Sequence, residues 1–179
     1  MPRFSAKQIS EHLTKCDNGA STTDRGRALE DLVCYLFERV PGIAVAYRNV
    51  LNQFESEEID VALFNDKHRS GFPFLPHLIL VESKNWTTPV GSSEVAWFDS
   101  KLRQRGLSFG VLVAMNGVTG TSADRTAAHA VIASALPEQR QLIVMTRAEL
   151  LGLATTQQLV LLVKRKLTEL AVVGTLFTN

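Results

Sequence analysis

Glu82 and Lys84 stand two residues apart at the end of HLILVESKNW, residues 77–86. The middle of that run is Leu-Ile-Leu-Val, the composition of an interior strand covered on both faces. Side chains alternate across a strand, so residues two apart share a face, about 6.6 Å apart along it. A carboxylate and an ammonium are thereby held together, while the Ser83 side chain points the other way. Asp60 follows the same logic, interrupting Ile59, Val61 and Leu63 in EIDVALF, residues 58–64. Neighbouring strands lie about 4.8 Å apart, so in a matching register Asp60 and Glu82 converge on one point. Two carboxylates that close repel unless a proton or cation lies between them. A hard divalent cation with oxygen ligands, most simply Mg²⁺, resolves the conflict. Such parts suit phosphodiester hydrolysis, in which a metal polarises the phosphate and acidifies a water. Lys84 would orient that water, share its proton or balance charge in the transition state, and the sequence leaves all three roles open. Glu30 is a fourth candidate. It follows Leu29 at the edge of an apolar helical stripe and is expected to aim at the same metal or a second one.

These residues need strands and a helix to position them. Residues 5–16 read as a short amphipathic helix, with Ile9 and Leu13 on one face. After the polar break CDNGASTTD, the spacing of Leu29, Leu32, Val33, Leu36, Phe37 and Val40 predicts a strong helix. Thr23 or Asp24 is its expected cap, and Pro41-Gly42 its end. Strands are expected at 43–51 and 58–64, joined through Asn52 to Glu57, and then at 77–86. Val95, Phe98 and Leu102 mark a helix over 91–105. Strands at 109–115 and 141–146 flank an Ala-rich helix at 122–136, and helices follow at 147–153 and 156–170. An early meander followed by helix-linked strands implies an α/β fold, a mixed central β-sheet flanked by helices on both faces.

An acidic residue on a first long helix, then an Asp, then Glu-x-Lys on the next strand, resembles the PD-(D/E)xK nuclease superfamily. More narrowly, GRALEDLVCYLF, EIDVAL and LILVESKNWTTPVGSSEVAWF resemble the Mrr-type restriction endonuclease family, over roughly residues 25–146. The resemblance implies a restriction-endonuclease-like fold and DNA as substrate. It matches Glu30, Asp60, Glu82 and Lys84 to the family's active-site acids and lysine, and the Ser83 backbone carbonyl to an expected metal ligand. It also implies Mg²⁺ as cofactor, with Mn²⁺ able to substitute, and a role in defence against foreign DNA. Two departures stand out. Ser83 replaces a common Cys, on a side chain that faces away, and no Pro precedes Asp60. No separate recognition domain is expected; a homodimer is, because a duplex cut needs two active centres, or else a partner subunit that supplies target recognition.

The chain has 179 residues, 45% of them apolar, with a net charge of +1. That suits one domain over 1–179, with 1–22 as an N-terminal extension and 155–179 as a helical C-terminal one. A near-neutral total neither points to a nucleic acid nor excludes a local basic face. The two cysteines, Cys16 and Cys34, form no zinc pattern, and a reduced, cytoplasmic protein is expected. No apolar run reaches the ~20 residues of a membrane span. His12, His68, His77 and His129 share no ligand spacing. GVTG, residues 117–120, lacks the full dinucleotide-binding pattern and reads as a turn. Asn116 and Thr119 would border the cleft, as strand ends do in open α/β sheets. Lys101, Arg103 and Arg105 read as a solvated helix face or as phosphate contacts, and Lys164, Arg165 and Lys166 as helix surface. Trp97 is expected in the core, and Trp86 there or on a groove wall. The rivals to a DNA endonuclease are an RNase or toxin with the same site, a retired nuclease that only binds, and an enzyme using a nucleotide cofactor at 117–120.

Overall fold

Apolar alternation and helical stripes resolve, in a computed structural model that describes residues 2–51, 58–121 and 126–174, into a five-stranded sheet and its helices. The elements are α1 (Ala6–Asn18), α2 (Thr22–Phe37), β1 (Ile43–Leu51), β2 (Glu58–Asn65), β3 (Leu78–Lys84), α3 (Ser92–Gln104), β4 (Phe109–Ala114), α4 (Ala128–Ala135), β5 (Gln141–Met145), α5 (Arg147–Leu151) and α6 (Thr156–Val173). The expected connection from Asn52 to Glu57 lies outside the described residues. So do 122–125 of the expected Ala-rich helix, whose described part ends in a 3₁₀ turn containing Pro137. A proline cannot donate to the helical ladder, which accounts for the stop.

α2 starts earlier than the expected cap. Ser21 Oγ accepts from Asp24 N at 3.0 Å while Asp24 Oδ2 accepts from Ser21 N at 3.1 Å. This reciprocal pair satisfies two backbone donors that a helix start leaves open. Asp24 is thus the third helical residue and not the cap.

The strands lie in chain order, β1-β2-β3-β4-β5. The first two pairings are antiparallel and the last two parallel. Antiparallel neighbours can be joined directly by a loop, whereas parallel ones need crossovers, here through α3 and α4. All six β4 residues are buried, as expected of a strand covered on both faces. The two faces of β3 meet different helices. Asn85 Nδ2, on the Ser83 side, donates to the carbonyls of Cys16 and Arg25 in α1 and α2. Glu82, on the other side, meets α3 through Lys101.

α3 lies close to the sheet because β4 offers Gly110 beneath it. A Cβ there would stand 2.7 Å from the Phe98 ring and 2.8 Å from Leu102. At the other end of the chain, α6 packs on β5 and buries Leu159, Val163 and Leu170 completely. Lys166, expected on the surface, is fully buried as well, its ammonium 2.7 Å from Glu149 Oε1. Leu162, Val163 and Lys166 share helical spacing, which carries the lysine inward. Among the described residues, no helix is long and apolar enough to cross a membrane.

Candidate active site

Val61 pairs with Val81 in the antiparallel β2–β3 ladder. Continuing that register by one step sets Asp60 opposite Glu82. Residues directly opposite each other project to the same face, so the two carboxylates share the α3 side of the sheet. Lys84, two residues on, joins them, its Nζ 3.0 Å from Glu82 Oε1. Asp60 is fixed from the neighbouring strand, with its Oδ2 accepting from the Ser83 backbone N–H at 2.7 Å. The Ser83 side chain faces away, where its buried hydroxyl has no hydrogen-bond partner among the described residues.

α3 contributes a residue that the sequence reading placed elsewhere. Lys101 is only 4% exposed. Its Nζ lies 2.8 Å from Glu82 Oε2 and donates to the Glu58 carbonyl at 2.7 Å. Each Glu82 oxygen therefore faces its own ammonium. The sequence did hold a signal, since Lys101 is three residues after Phe98 and next to Leu102 on the buried stripe. From the same helix, Glu94 reaches Lys84 at 3.9 Å.

Burial and the nearby Glu82 charge push the Asp60 carboxyl up to about 7, against the Ser83 hydrogen bond and the two ammoniums. For Lys84 the balance has the other outcome. Burial pulls its pKa down, but the adjacent Glu82 carboxylate more than offsets this and the net shift is upward. Lys84 is thus an ammonium at neutral pH.

Glu30 is not gathered with the other three. Its Oε2 takes the Arg48 Nε at 3.2 Å, and Arg48 is also held by Asp31 Oδ1 at 2.6 Å. Arg48 pairs with Val61, which alternates with Asp60, so this cluster lies on the α2 side of the sheet. Among the described residues, no three His, Cys, Asp or Glu side chains gather as a metal-binding group. The donors at hand are two carboxylates on one face and the Ser83 backbone carbonyl expected beside them. Mg²⁺ fits such a set, because it keeps several waters and needs only one or two protein carboxylates.

The remaining candidates fall outside this cluster. His12 packs on the Tyr35 ring, and His77 Nδ1 lies 2.8 Å from the Asn65 carbonyl. The turn expected at 117–120 falls at 115–116 instead, and Val118 forms a parallel bridge to Val90. Asn116 donates to the Trp86 carbonyl and so fixes the chain just past the site. Trp97, expected in the core, is 48% exposed.

A family model described as restriction endonuclease, for the Mrr catalytic domain, matches residues 23–153. No curated protein matches the chain.

Proposed function

The chain belongs to the Mrr-type restriction endonuclease family, and from that premise we propose that it is a Mg²⁺-dependent endonuclease hydrolysing DNA phosphodiester bonds in defence against foreign DNA. The observation that carries this reading is the placing of Asp60 opposite Glu82, with Lys84 beside them on one sheet face. Burial, and then the Glu82 charge, raise the Asp60 pKa, and a divalent cation would relieve the repulsion between the two carboxylates. Asp60, Glu82 and the Ser83 carbonyl would hold it. When bound, it would polarise the scissile phosphate and acidify the attacking water.

The protein's own groups do the rest. The Ser83 N–H orients the Asp60 carboxylate. Lys101 and Lys84 hold Glu82 from both sides, so the ligand is preorganised. Lys84, being an ammonium, donates to the incoming water or a phosphate oxygen and balances the charge that develops there. Glu30 supports the site only indirectly, by tying α2 to β1 through Arg48.

The test is cleavage of plasmid DNA with Mg²⁺ or Mn²⁺. Lys84→Ala and Asp60→Ala should each lose at least ~100-fold in rate, the lower range for a positioned acid–base or electrostatic group. Full activity in both variants would end this reading. Matched DNA and RNA substrates in competition separate it from an RNase with the same site.

A further inference from the structure

At the C-terminal end of β3 a cleft of about 430 Å³ opens on the α2 side of the sheet. Thr22, Arg25 and Gly26 line it from α2, Ser83 from β3, and Thr87 and Thr88 from the chain that follows. Residues three and four apart share a helix flank, so the three from α2 present one surface. Lys84 also borders the cleft, while its Nζ lies 3.0 Å from Glu82 Oε1. The cleft therefore adjoins the candidate active site around the end of β3. Its walls are tied together. Asn85 Nδ2 donates to the Cys16 and Arg25 carbonyls at 2.8 and 3.1 Å, and Asn116 holds the Trp86 carbonyl.

Gly26 is the residue here that internal packing does not explain. It stands inside α2, past the first turn, where glycine is destabilising relative to alanine. At Gly110 the protein itself requires the missing Cβ, which would stand 2.7 Å from the Phe98 ring. A Cβ at Gly26 would meet nothing within 4 Å among the described residues beyond its own stretch of helix. That empty space lies on the cleft wall, where bare backbone lets a ligand come close. The groups around it suit an anion. Arg25 makes no ion pair among the described residues, and its Nε donates to the Ser21 carbonyl at 3.4 Å. Its guanidinium fork matches a phosphate, and hydroxyls such as those of Thr22, Thr87 and Thr88 are common phosphate contacts. The buried Ser83 hydroxyl on the same lining has no partner among the described residues. Resting on the nuclease reading above, we propose that this cleft is a DNA-backbone subsite. The strand that presents its scissile phosphate to Asp60, Glu82 and Lys84 lays a neighbouring phosphodiester against α2 at Gly26, with Arg25 on its charge.

Arg25→Ala and Gly26→Ala test this in the full-length protein. Binding of a labelled blunt DNA duplex is measured in Ca²⁺, in place of Mg²⁺, over a range of NaCl concentrations. Arg25→Ala should weaken binding by about 10- to 150-fold, the equivalent of one charge-assisted hydrogen bond. It should also flatten the plot of log affinity against log salt by about 0.9, the share of one phosphate contact. Gly26→Ala should weaken binding by about 5- to 150-fold, as an added methyl does in an occupied space, while its urea midpoint equals or exceeds that of wild type. Helix propensity alone would raise stability and leave binding unchanged, so the two readouts moving apart mark a ligand at the glycine. An unaltered salt slope in Arg25→Ala, or a Gly26→Ala variant that binds like wild type, overturns the inference. A lowered urea midpoint in Gly26→Ala also overturns it, by assigning the glycine to folding. Plasmid cleavage that needs Lys84, with both variants binding duplex like wild type, removes the subsite and keeps the nuclease. Weakened duplex binding in both variants with no cleavage by wild type removes the nuclease and keeps a DNA-binding cleft.

Discussion

Lys101 is a lysine whose neighbours in sequence, Arg103 and Arg105, suggest a wet helix face, yet its ammonium is buried against Glu82 and the Glu58 carbonyl. Removing one partner of a buried pair leaves the other uncompensated. Here Glu82 keeps Lys84, so the cost is reduced. Lys101→Met is expected to lose roughly 2–3 kcal/mol in urea unfolding, below the 3–5 of a fully broken pair. Adding Glu82→Gln should recover part of that loss, because the two sites are coupled. Asp60 gives a prediction in pH. Its folded pKa, about 7, lies above its unfolded value of about 3.9. The folded, metal-free state therefore holds the proton more tightly. The stability this contributes is fully present below about pH 4 and is lost as pH rises to about 7. Asp60→Asn should remove this slope and stand roughly 1–2 kcal/mol above wild type at pH 8 without metal. Urea titrations of both proteins at pH 5 and pH 8 check the sign. An Asp60→Asn variant no more stable than wild type at pH 8 contradicts it.

At the scale of elements, the site depends on how closely α3 rides on the sheet. Gly110 permits that approach, since a Cβ would meet the Phe98 ring and Leu102 well inside contact distance. Both side chains are themselves packed, so they cannot simply swing aside. Gly110→Ala is expected to cost about 1–3 kcal/mol as an overpacked core. It should also lower the cleavage rate, because α3 carries Lys101 and Glu94 with it. A thermal melt and a plasmid assay on the same sample measure both effects. α3 is anchored at its far side by Asp99, which takes Arg140 through two bonds of 2.7 and 2.9 Å. Helix and strand identities were legible in the sequence because their periods differ. The start of α2 was not, because Ser21, Thr23 and Asp24 all have capping chemistry and only the reciprocal bonds single out Ser21.

For the whole molecule, the family match ends at residue 153, but the core does not. α6 closes over β5 with Leu159, Val163 and Leu170, and Lys166 pairs with Glu149 beneath it. Burying one such aliphatic side chain contributes about 1.5–3 kcal/mol, comparable in sum with the net stability of a domain. A chain ended after Ala154 is therefore expected to lose its cooperative thermal transition. A sharp melt near the wild-type temperature would instead make α6 an appendage.

The sequence by itself determined the strands, the helical stripes and the shared face of Glu82 and Lys84. Strand alternation is a local rule, and two residues apart on a strand means one face in any tertiary setting. The same rule, applied across the ladder, carries Asp60 to Glu82 once the register is known. What only the tertiary structure decided are relations between elements. Glu30 pairs with Arg48 across the sheet from the other acids, because the face a helix covers depends on which strand it crosses. Lys101 enters the site and Trp97 stays out of the core for the same reason. Helical spacing fixes which residues share a flank, but only packing against β4 decides which flank is buried and which is left in solvent.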